Sequence, residues 1–185
     1  LQPPKKWLSS VIKRERNASE GRQKLIAFIE HLDDSVDKVI NSLENNNLLD
    51  NTIIIFTSDN GGALHYSASN KPFNGGKGNM LEGGIRIPCI VKWSNVIKPG
   101  VVNDPIMLMD FYPTLVNISR EFNDYNLPSK NILPLLKDEE LSYDSRFMVW
   151  IRREGHVFGG RDFYAISNGR FKLLQNTPFE PYKLY

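Results

Sequence analysis

Asp59 and Asn60 are the residues of this chain whose types best suit a metal ion, and they follow the isoleucine-rich segment 51–57. A carboxylate next to an amide carbonyl offers two hard oxygen donors, the ligand type that calcium and magnesium prefer. Gly61 and Gly62 let the backbone turn away directly after them. Because Asp-Asn-Gly is also common turn chemistry, a plain turn is the alternative.

A lysine between glycines follows along the chain. Lys77 stands in the segment 74–79, Asn-Gly-Gly-Lys-Gly-Asn, whose glycines allow the backbone to approach a ligand closely and leave the ammonium unobstructed. An amine placed in this way suits an anion. The alternative is a surface loop with a solvated lysine. The segment 82–86 that follows, Glu-Gly-Gly-Ile-Arg, is predicted to be a salt-bridged turn.

Two other groups of reactive side chains are weaker candidates. Arg152, Arg153 and His156 would recognise an acidic sugar, since guanidinium groups pair well with carboxylate and sulfate, and a solvated basic patch is the alternative. Cys89 lies in an apolar run and is predicted to be a buried, inert thiol, because a reactive thiolate needs an exposed, electropositive setting. His65 matches no motif and receives no role.

The elements that must position Asp59 and Lys77 are predicted to be those of an α/β protein. Apolar residues between Ser19 and about Asn46 recur every three or four positions and predict a long amphipathic helix. The β-branched run at 51–57 lacks alternation, which is typical of a central strand buried on both faces. Ligands collect at the carboxyl ends of such strands. The helical stripe consists of Leu25, Ile29, Leu32, Val36, Val39 or Ile40, and Leu43.

Beyond a long glycine-rich loop and a second apolar run at 87–93, the chain predicts another helix. Asp110 is a plausible N-cap, and Leu115, Ile118 and Phe122 are predicted to face inward. The sequence then turns polar and loses its periodicity. We therefore predict two domains, residues 1–122 and residues 123–185.

The tail is predicted to be a small antiparallel sheet. Its strands are read at 146–151, 162–167 and 171–175. Asn168-Gly169 is a favourable two-residue hairpin turn between the last two.

Composition excludes several classes of protein. The 185 residues are 41% apolar and 24% charged, as in ordinary globular proteins. The net charge is only +2, with basic and acidic residues interleaved, so no nucleic-acid partner is expected. No apolar run is long enough for a membrane span, and a single cysteine allows neither an internal disulfide nor a cysteine-based zinc site.

Taken together, the motifs resemble those of the sulfatase family, in both order and spacing. The tail resembles the C-terminal subdomain of bacterial arylsulfatases and N-acetylgalactosamine-sulfatase-like enzymes. The segments that carry the resemblance are His31–Val36, Leu49–Thr52, Ser58–Gly62, Gly76–Pro88 and Asp110–Leu115, and in the tail Trp150–Gly155 and Gly169–Leu174.

The resemblance implies a partial alkaline-phosphatase-like α/β sulfatase fold with a small C-terminal antiparallel-sheet subdomain, and hydrolysis of the sulfate ester of a carbohydrate or an aryl alcohol. By motif match, Asp59 and Asn60 would be two calcium ligands, and Lys77 would contact the sulfate and the bridging oxygen. A periplasmic or secreted location is implied as well. The expected partner molecules are a sulfated small molecule or glycan.

The chain departs from the family at the nucleophile. Sulfatases form a formylglycine from the Cys or Ser of a Cys/Ser-x-Pro-x-Arg motif, and no such motif occurs in these residues. Cys89 is followed by Ile-Val-Lys and cannot substitute. We therefore expect a C-terminal fragment that is inactive alone and has the missing N-terminal half, with the formylglycine and further calcium ligands, as its partner.

Two alternative functions stay open at this point. One is a phosphoester hydrolase of the phosphatase superfamily, since such enzymes share a metal site at a strand end. The other is a non-catalytic module that binds sulfated glycans through the glycine-rich loop and the basic tail.

Overall fold

The computed structural model of the chain describes residues 1–119, 127–139, 146–153 and 162–185. Their contacts group the chain into two compact units, Leu1–Ile90 and Val91–Tyr185. The predicted domain boundary after residue 122 falls outside the described residues and stays a prediction. No described helix has the length and apolar character that crossing a bilayer requires.

Two helices begin the first unit, α1 (Lys5–Arg14) and α2 (Glu20–Asn45). The long helix α2 is confirmed, and Ser19 caps it by accepting a hydrogen bond from the Arg22 N–H at 3.3 Å. The sequence analysis missed α1, although apolar residues at positions 7, 8, 11 and 12 have helical spacing. Helix α1 packs on α2, where Val11 and Ala27 are fully buried.

The apolar stripe of α2 is partly exposed and partly half-buried, because α1 packs on a neighbouring part of the helix surface. Ala27, the buried residue of α2, lies outside the predicted stripe. The helical period was therefore predicted correctly. The exposed members and their neighbour are Phe28, Ile29, Leu32 and Val39.

Strands β1 (Ile54–Thr57) and β2 (Cys89–Lys92) form a two-stranded sheet. The prediction that β1 is buried on both faces is wrong for the described residues, since Phe56 is 40% exposed and the strand has one paired neighbour. Cys89 is likewise exposed, which corrects the predicted buried thiol. Partial burial still raises the pKa of its thiol, and a hydrogen bond with Thr57 only partly offsets this.

In the second unit, helix α4 (Phe111–Ser119) follows a 3₁₀ turn at Leu108–Asp110. The short helix before it, α3 (Glu82–Ile85), belongs to the first unit. The inward face of α4 differs from the prediction: Pro113 and Thr114 are buried, whereas Leu115 is 42% exposed. Phe122 lies outside the described residues.

Thr114 explains which face of α4 is buried. Its hydroxyl donates to the Asp110 carbonyl at 2.6 Å and accepts from the backbone N–H of Ile132 at 2.9 Å. Ile132, which precedes helix α5 (Leu133–Leu136), is fully buried. The two hydrogen bonds of Thr114 and its neighbour Ile132 therefore decide which face of α4 is buried, and the spacing of apolar residues, on which the prediction was based, does not.

Asp110 forms the most buried ion pair of the described residues. Its carboxylate accepts hydrogen bonds from both terminal nitrogens of the Arg146 guanidinium, one of them at 2.6 Å. It also accepts the backbone N–H groups of Met107 at 2.7 Å and Lys130 at 3.0 Å. The predicted N-cap therefore joins three separate segments of this unit.

A four-stranded antiparallel sheet in the order β3-β4-β5-β6 completes the second unit and confirms the predicted tail. Ser167 pairs with Lys172, so the β4–β5 loop has four residues rather than the predicted two. Asn168 stabilises this loop by accepting two backbone N–H groups, and Gly169 has a φ of +87°. Strand β6 was not predicted. The strands are β3 (Met148–Arg153), β4 (Asp162–Ser167), β5 (Lys172–Gln175) and β6 (Lys183–Leu184).

Candidate functional site

Asp59 and Asn60 lie directly beyond the carboxyl end of β1, where a ligand-binding loop was predicted. Asp59 is exposed and Asn60 is half-buried. The Ser58 hydroxyl donates to the Asn60 carbonyl at 2.8 Å and so orders the turn. Neither the Asp59 carboxylate nor the Asn60 side-chain amide hydrogen-bonds to a described residue, which leaves their oxygens available to a ligand.

The loop that carries Lys77 contacts the segment that follows Asp59 and Asn60. The backbone N–H of Lys77 donates to the Gly62 carbonyl at 3.1 Å. The Lys77 side chain is exposed and forms no ion pair with a described residue. The backbone of Lys77 is therefore hydrogen-bonded to Gly62, which is two residues after Asn60 in the sequence.

The glycines around these residues are needed because backbone segments pack closely against one another there. The sequence analysis had instead explained them by close approach to a ligand. A Cβ on Gly61 would lie 1.8 Å from the Gly83 carbonyl oxygen, and one on Gly76 would lie 2.6 Å from the Gly62 carbonyl oxygen. Gly84 allows a similar contact, with its Cβ position 2.2 Å from the Asn79 carbonyl. Side chains at these positions would force the loops apart.

Helix α3 closes the same group of loops. The Gly61 N–H donates to the Gly84 carbonyl at 2.9 Å, so the strand-end turn is hydrogen-bonded to α3. Glu82 and Arg86 form an exposed ion pair at 3.9 Å, and the Arg86 guanidinium lies 4.7 Å from the ring centroid of Phe73. The predicted salt-bridged turn is confirmed, and it supports the loops from one side.

Arg153, the other predicted substrate contact, lies in the second unit and has protein partners. Its guanidinium donates to the Tyr164 hydroxyl at 3.1 Å and lies 3.4 Å from the Asp162 carboxylate. The hydrogen bond to Tyr164, and then the electrostatic attraction of Tyr164 and Asp162, raise the pKa of Arg153. His156 lies outside the described residues.

The donor chemistry at the end of β1 fits calcium, but it is incomplete. Calcium takes about six to eight oxygen ligands, and Asp59 with Asn60 would supply two side-chain oxygens of the right kind. Across the described ranges, no group of three or more His, Cys, Asp or Glu side chains comes close enough to hold a metal. These residues would therefore form one side of a calcium site.

Comparison with known proteins gives a consistent result. A family model described as Sulfatase matches residues 4–119. Human Arylsulfatase H is 37% identical over 131 residues, which cover 65% of this chain and 23% of that protein. A protein named Sulfatase from Formosa agariphila is 37% identical over 188 residues, covering 86% of this chain and 32% of that protein.

Among solved structures, Ps i-CgsB in complex with k-i-k-neocarrahexaose matches with a TM-score of 0.85 and 26% identity. The match covers 100% of this chain and 40% of that chain. The chain thus spans less than half the length of each of these relatives.

Proposed function

The chain belongs to the sulfatase family, and from this premise we propose that the protein containing it is a sulfuric-ester hydrolase. The observation that carries the proposal is the hydrogen bond from the Lys77 backbone N–H to the Gly62 carbonyl, because it brings the loop of Lys77 to the segment that follows the Asp59–Asn60 turn. A lysine and hard oxygen donors on two loops that contact each other suit an anionic ester. The whole protein's activity is proposed rather than that of this chain alone.

In this proposal Lys77 contacts the sulfate group and its bridging oxygen. Negative charge shifts toward the bridging oxygen as the ester bond breaks, and an ammonium held there stabilises that charge. Asp59 and Asn60 would hold calcium, which, when bound, neutralises sulfate oxygens as a Lewis acid. The Ser58 hydrogen bond to the Asn60 carbonyl orders the backbone that carries the two donors, which reduces the reorganisation that binding requires.

We also propose that the nucleophile, a formylglycine, and the other calcium ligands come from an N-terminal half that packs on this chain. Three observations support this partner: the sequence lacks the Cys/Ser-x-Pro-x-Arg motif, the relatives are longer, and the first unit has an uncovered apolar surface. The exposed side chains of Phe28, Ile29, Leu32 and Val39 on α2 would be buried by that half. Burial of such side chains contributes about 1.5–3 kcal/mol each when it is complete.

For the substrate we propose a sulfated carbohydrate, with an aryl sulfate as the simpler alternative. The likeness to Ps i-CgsB, solved with k-i-k-neocarrahexaose, supports the carbohydrate. Arg153 and His156 would contact acidic groups of the sugar, Arg153 by exchanging its pairing with Asp162. Family membership supports a periplasmic or secreted location.

The test is sulfate release by the complete protein from sulfated oligosaccharides and from an aryl sulfate, before and after calcium removal. We expect release that stops when calcium is chelated and returns when it is added back. Turnover of a phosphate ester without turnover of any sulfate ester would favour the phosphatase alternative. Glycan affinity that persists without calcium, together with no turnover, would favour a binding module.

A further inference from the structure

We infer that Asn70 is a positioning residue that fixes Lys77 against the Asp59–Asn60 turn. The Asn70 side-chain oxygen accepts the Gly62 N–H at 2.8 Å. Its side-chain nitrogen donates to the Gly62 carbonyl at 2.9 Å and to the Gly75 carbonyl at 3.0 Å. One carboxamide thus joins the backbone that follows the calcium donors to the backbone that precedes the lysine.

The Gly62 carbonyl is the point through which Asn70 acts on the lysine. This oxygen accepts both the Asn70 side-chain nitrogen and the Lys77 backbone N–H, at 2.9 and 3.1 Å. Gly75, two residues before the lysine, is held by the same nitrogen. Lys77 is therefore bonded to Gly62 directly, and Gly75 is linked to Gly62 through Asn70.

No other side chain of this length can replace the three hydrogen bonds. The asparagine carboxamide has one acceptor oxygen and an NH₂ group with two donor hydrogens, both bonded to one carbon, and all of them are used here. An aspartate would keep only the bond from the Gly62 N–H and would place negative charge against two carbonyl oxygens. Glutamine carries the same groups one methylene too far from the backbone.

Two glycines leave room for the Asn70 carboxamide. A Cβ on Gly62 would lie 2.9 Å from the Asn70 side-chain oxygen, and one on Gly76 would lie 3.0 Å from its nitrogen. Asn70 is half-buried, so its hydrogen bonds are partly shielded from competing water. Gly62, Gly76 and Asn70 therefore act together to hold the two loops in one arrangement.

The catalytic consequence rests on the proposed sulfatase function. Displacing a catalytic group by about 1 Å can cost on the order of a hundredfold in rate. Loss of Asn70 would remove the hydrogen bond to Gly75, so that this side of the loop would keep only the Gly83 N–H bond to the Asn74 carbonyl at 2.8 Å, and Lys77 would keep its backbone hydrogen bond to Gly62. The loss of rate would then depend on the presence of Lys77. A loss caused only by lower stability would not depend on it.

The first test follows amide hydrogen exchange in the complete protein carrying Asn70→Ala. We expect exchange at Gly62 and Lys77 to quicken by at least about tenfold, the factor that corresponds to about 1.4 kcal/mol. The Gly61 amide, bonded to the Gly84 carbonyl, is the internal reference and should change less. Asn46→Ala, which removes one hydrogen bond to Ser42 at the end of α2, is the matched control.

Unchanged exchange at Lys77 in Asn70→Ala would overturn the inference. If Asn70→Ala does not fold, Asn70→Asp is measured instead, since it keeps the side-chain shape and deletes the two donated bonds. Protected Lys77 exchange in Asn70→Asp would overturn the inference equally.

The second test is a double-mutant cycle with Lys77→Ala, measured as kcat and KM for sulfate release. We expect Asn70→Ala to lower kcat by about 10- to 100-fold in the native background and by less than about threefold in the Lys77→Ala background. Equal losses in both backgrounds would reduce Asn70 to a structural role and overturn the inference. If neither the native protein nor Asn46→Ala releases sulfate, the proposed function fails, and the exchange measurement still decides the role of Asn70.

Discussion

Asp59 and Lys77 in the first unit and Asp110 in the second have opposite surroundings. In Leu1–Ile90, Asp59 and Lys77 lie on loops that are held by backbone contacts, and their own charges have no partner among the described residues. In Val91–Tyr185, Asp110 is fully buried and accepts Arg146 together with two backbone N–H groups. The first arrangement suits a ligand, and the second suits a fixed fold.

The difference has a physical reason. A charge removed from water must be paired, because an isolated buried ion is far less stable than a solvated one. An exposed charge needs no protein partner because water solvates it. It is therefore available to a ligand, provided that other contacts fix the position of its loop. In the first unit, glycine packing and the Asn70 carboxamide provide that fixation.

The largest expected effect on this comparison comes from removing the Asp110 carboxylate. Asp110→Ala leaves the Arg146 guanidinium in a buried site without its carboxylate, so we expect a loss of about 3–5 kcal/mol in the free energy of unfolding. Denaturant unfolding measures it, with exposed Asp104→Ala as the control. A loss below about 1 kcal/mol would show that the pair does not hold this unit together.

Lys77→Ala tests the opposite expectation for the first unit. Sulfate release by the complete protein should fall by about a hundred- to a thousandfold, the range for removing one group that stabilises developing charge. The free energy of unfolding should stay within about 0.5 kcal/mol, because an exposed unpaired side chain supports no contact. Lys98→Ala is the control, and equal turnover in both variants would remove Lys77 from the site.

Asp59→Ala tests the same comparison at the proposed calcium donors. We expect calcium affinity, measured by calorimetry on the complete protein, to weaken by at least about tenfold, because one charged ligand is lost. Thermal unfolding without calcium should be unchanged, since the Asp59 side chain makes no hydrogen bond to a described residue. Asp50→Ala is the control. Native-like affinity in Asp59→Ala would contradict the assignment.

Arg153 is the intermediate case, exposed yet paired. Arg153→Ala should raise KM for a sulfated oligosaccharide by a few-fold and leave kcat unchanged, since the side chain is proposed to bind and not to react. An aryl sulfate that lacks further acidic groups is the control substrate, and its KM should not move. The same KM shift for both substrates would place the effect in the fold of the β3–β4 pair.

Much of the architecture follows from local patterns. The family match over residues 4–119 and the TM-score of 0.85 confirm the predicted family and the partial alkaline-phosphatase-like α/β fold. Periodicity predicted α2, and short strand segments with an Asn-Gly turn between two of them predicted the sheet of the tail. Burial was predicted less well, as Leu115, Cys89 and Phe56 show, because it depends on which elements cover a surface.

The sequence by itself determined the site's chemistry: which oxygens and which amine are present, and how far apart they lie along the chain. Tertiary structure alone decided that Gly62 lies beside Lys77, that Asn70 joins their loops, and that Asp110 pairs with Arg146 across 36 positions of sequence. Side-chain type and spacing are local properties of a chain. Hydrogen bonds between distant segments exist only when folding closes the intervening loops, and no local pattern encodes their partners.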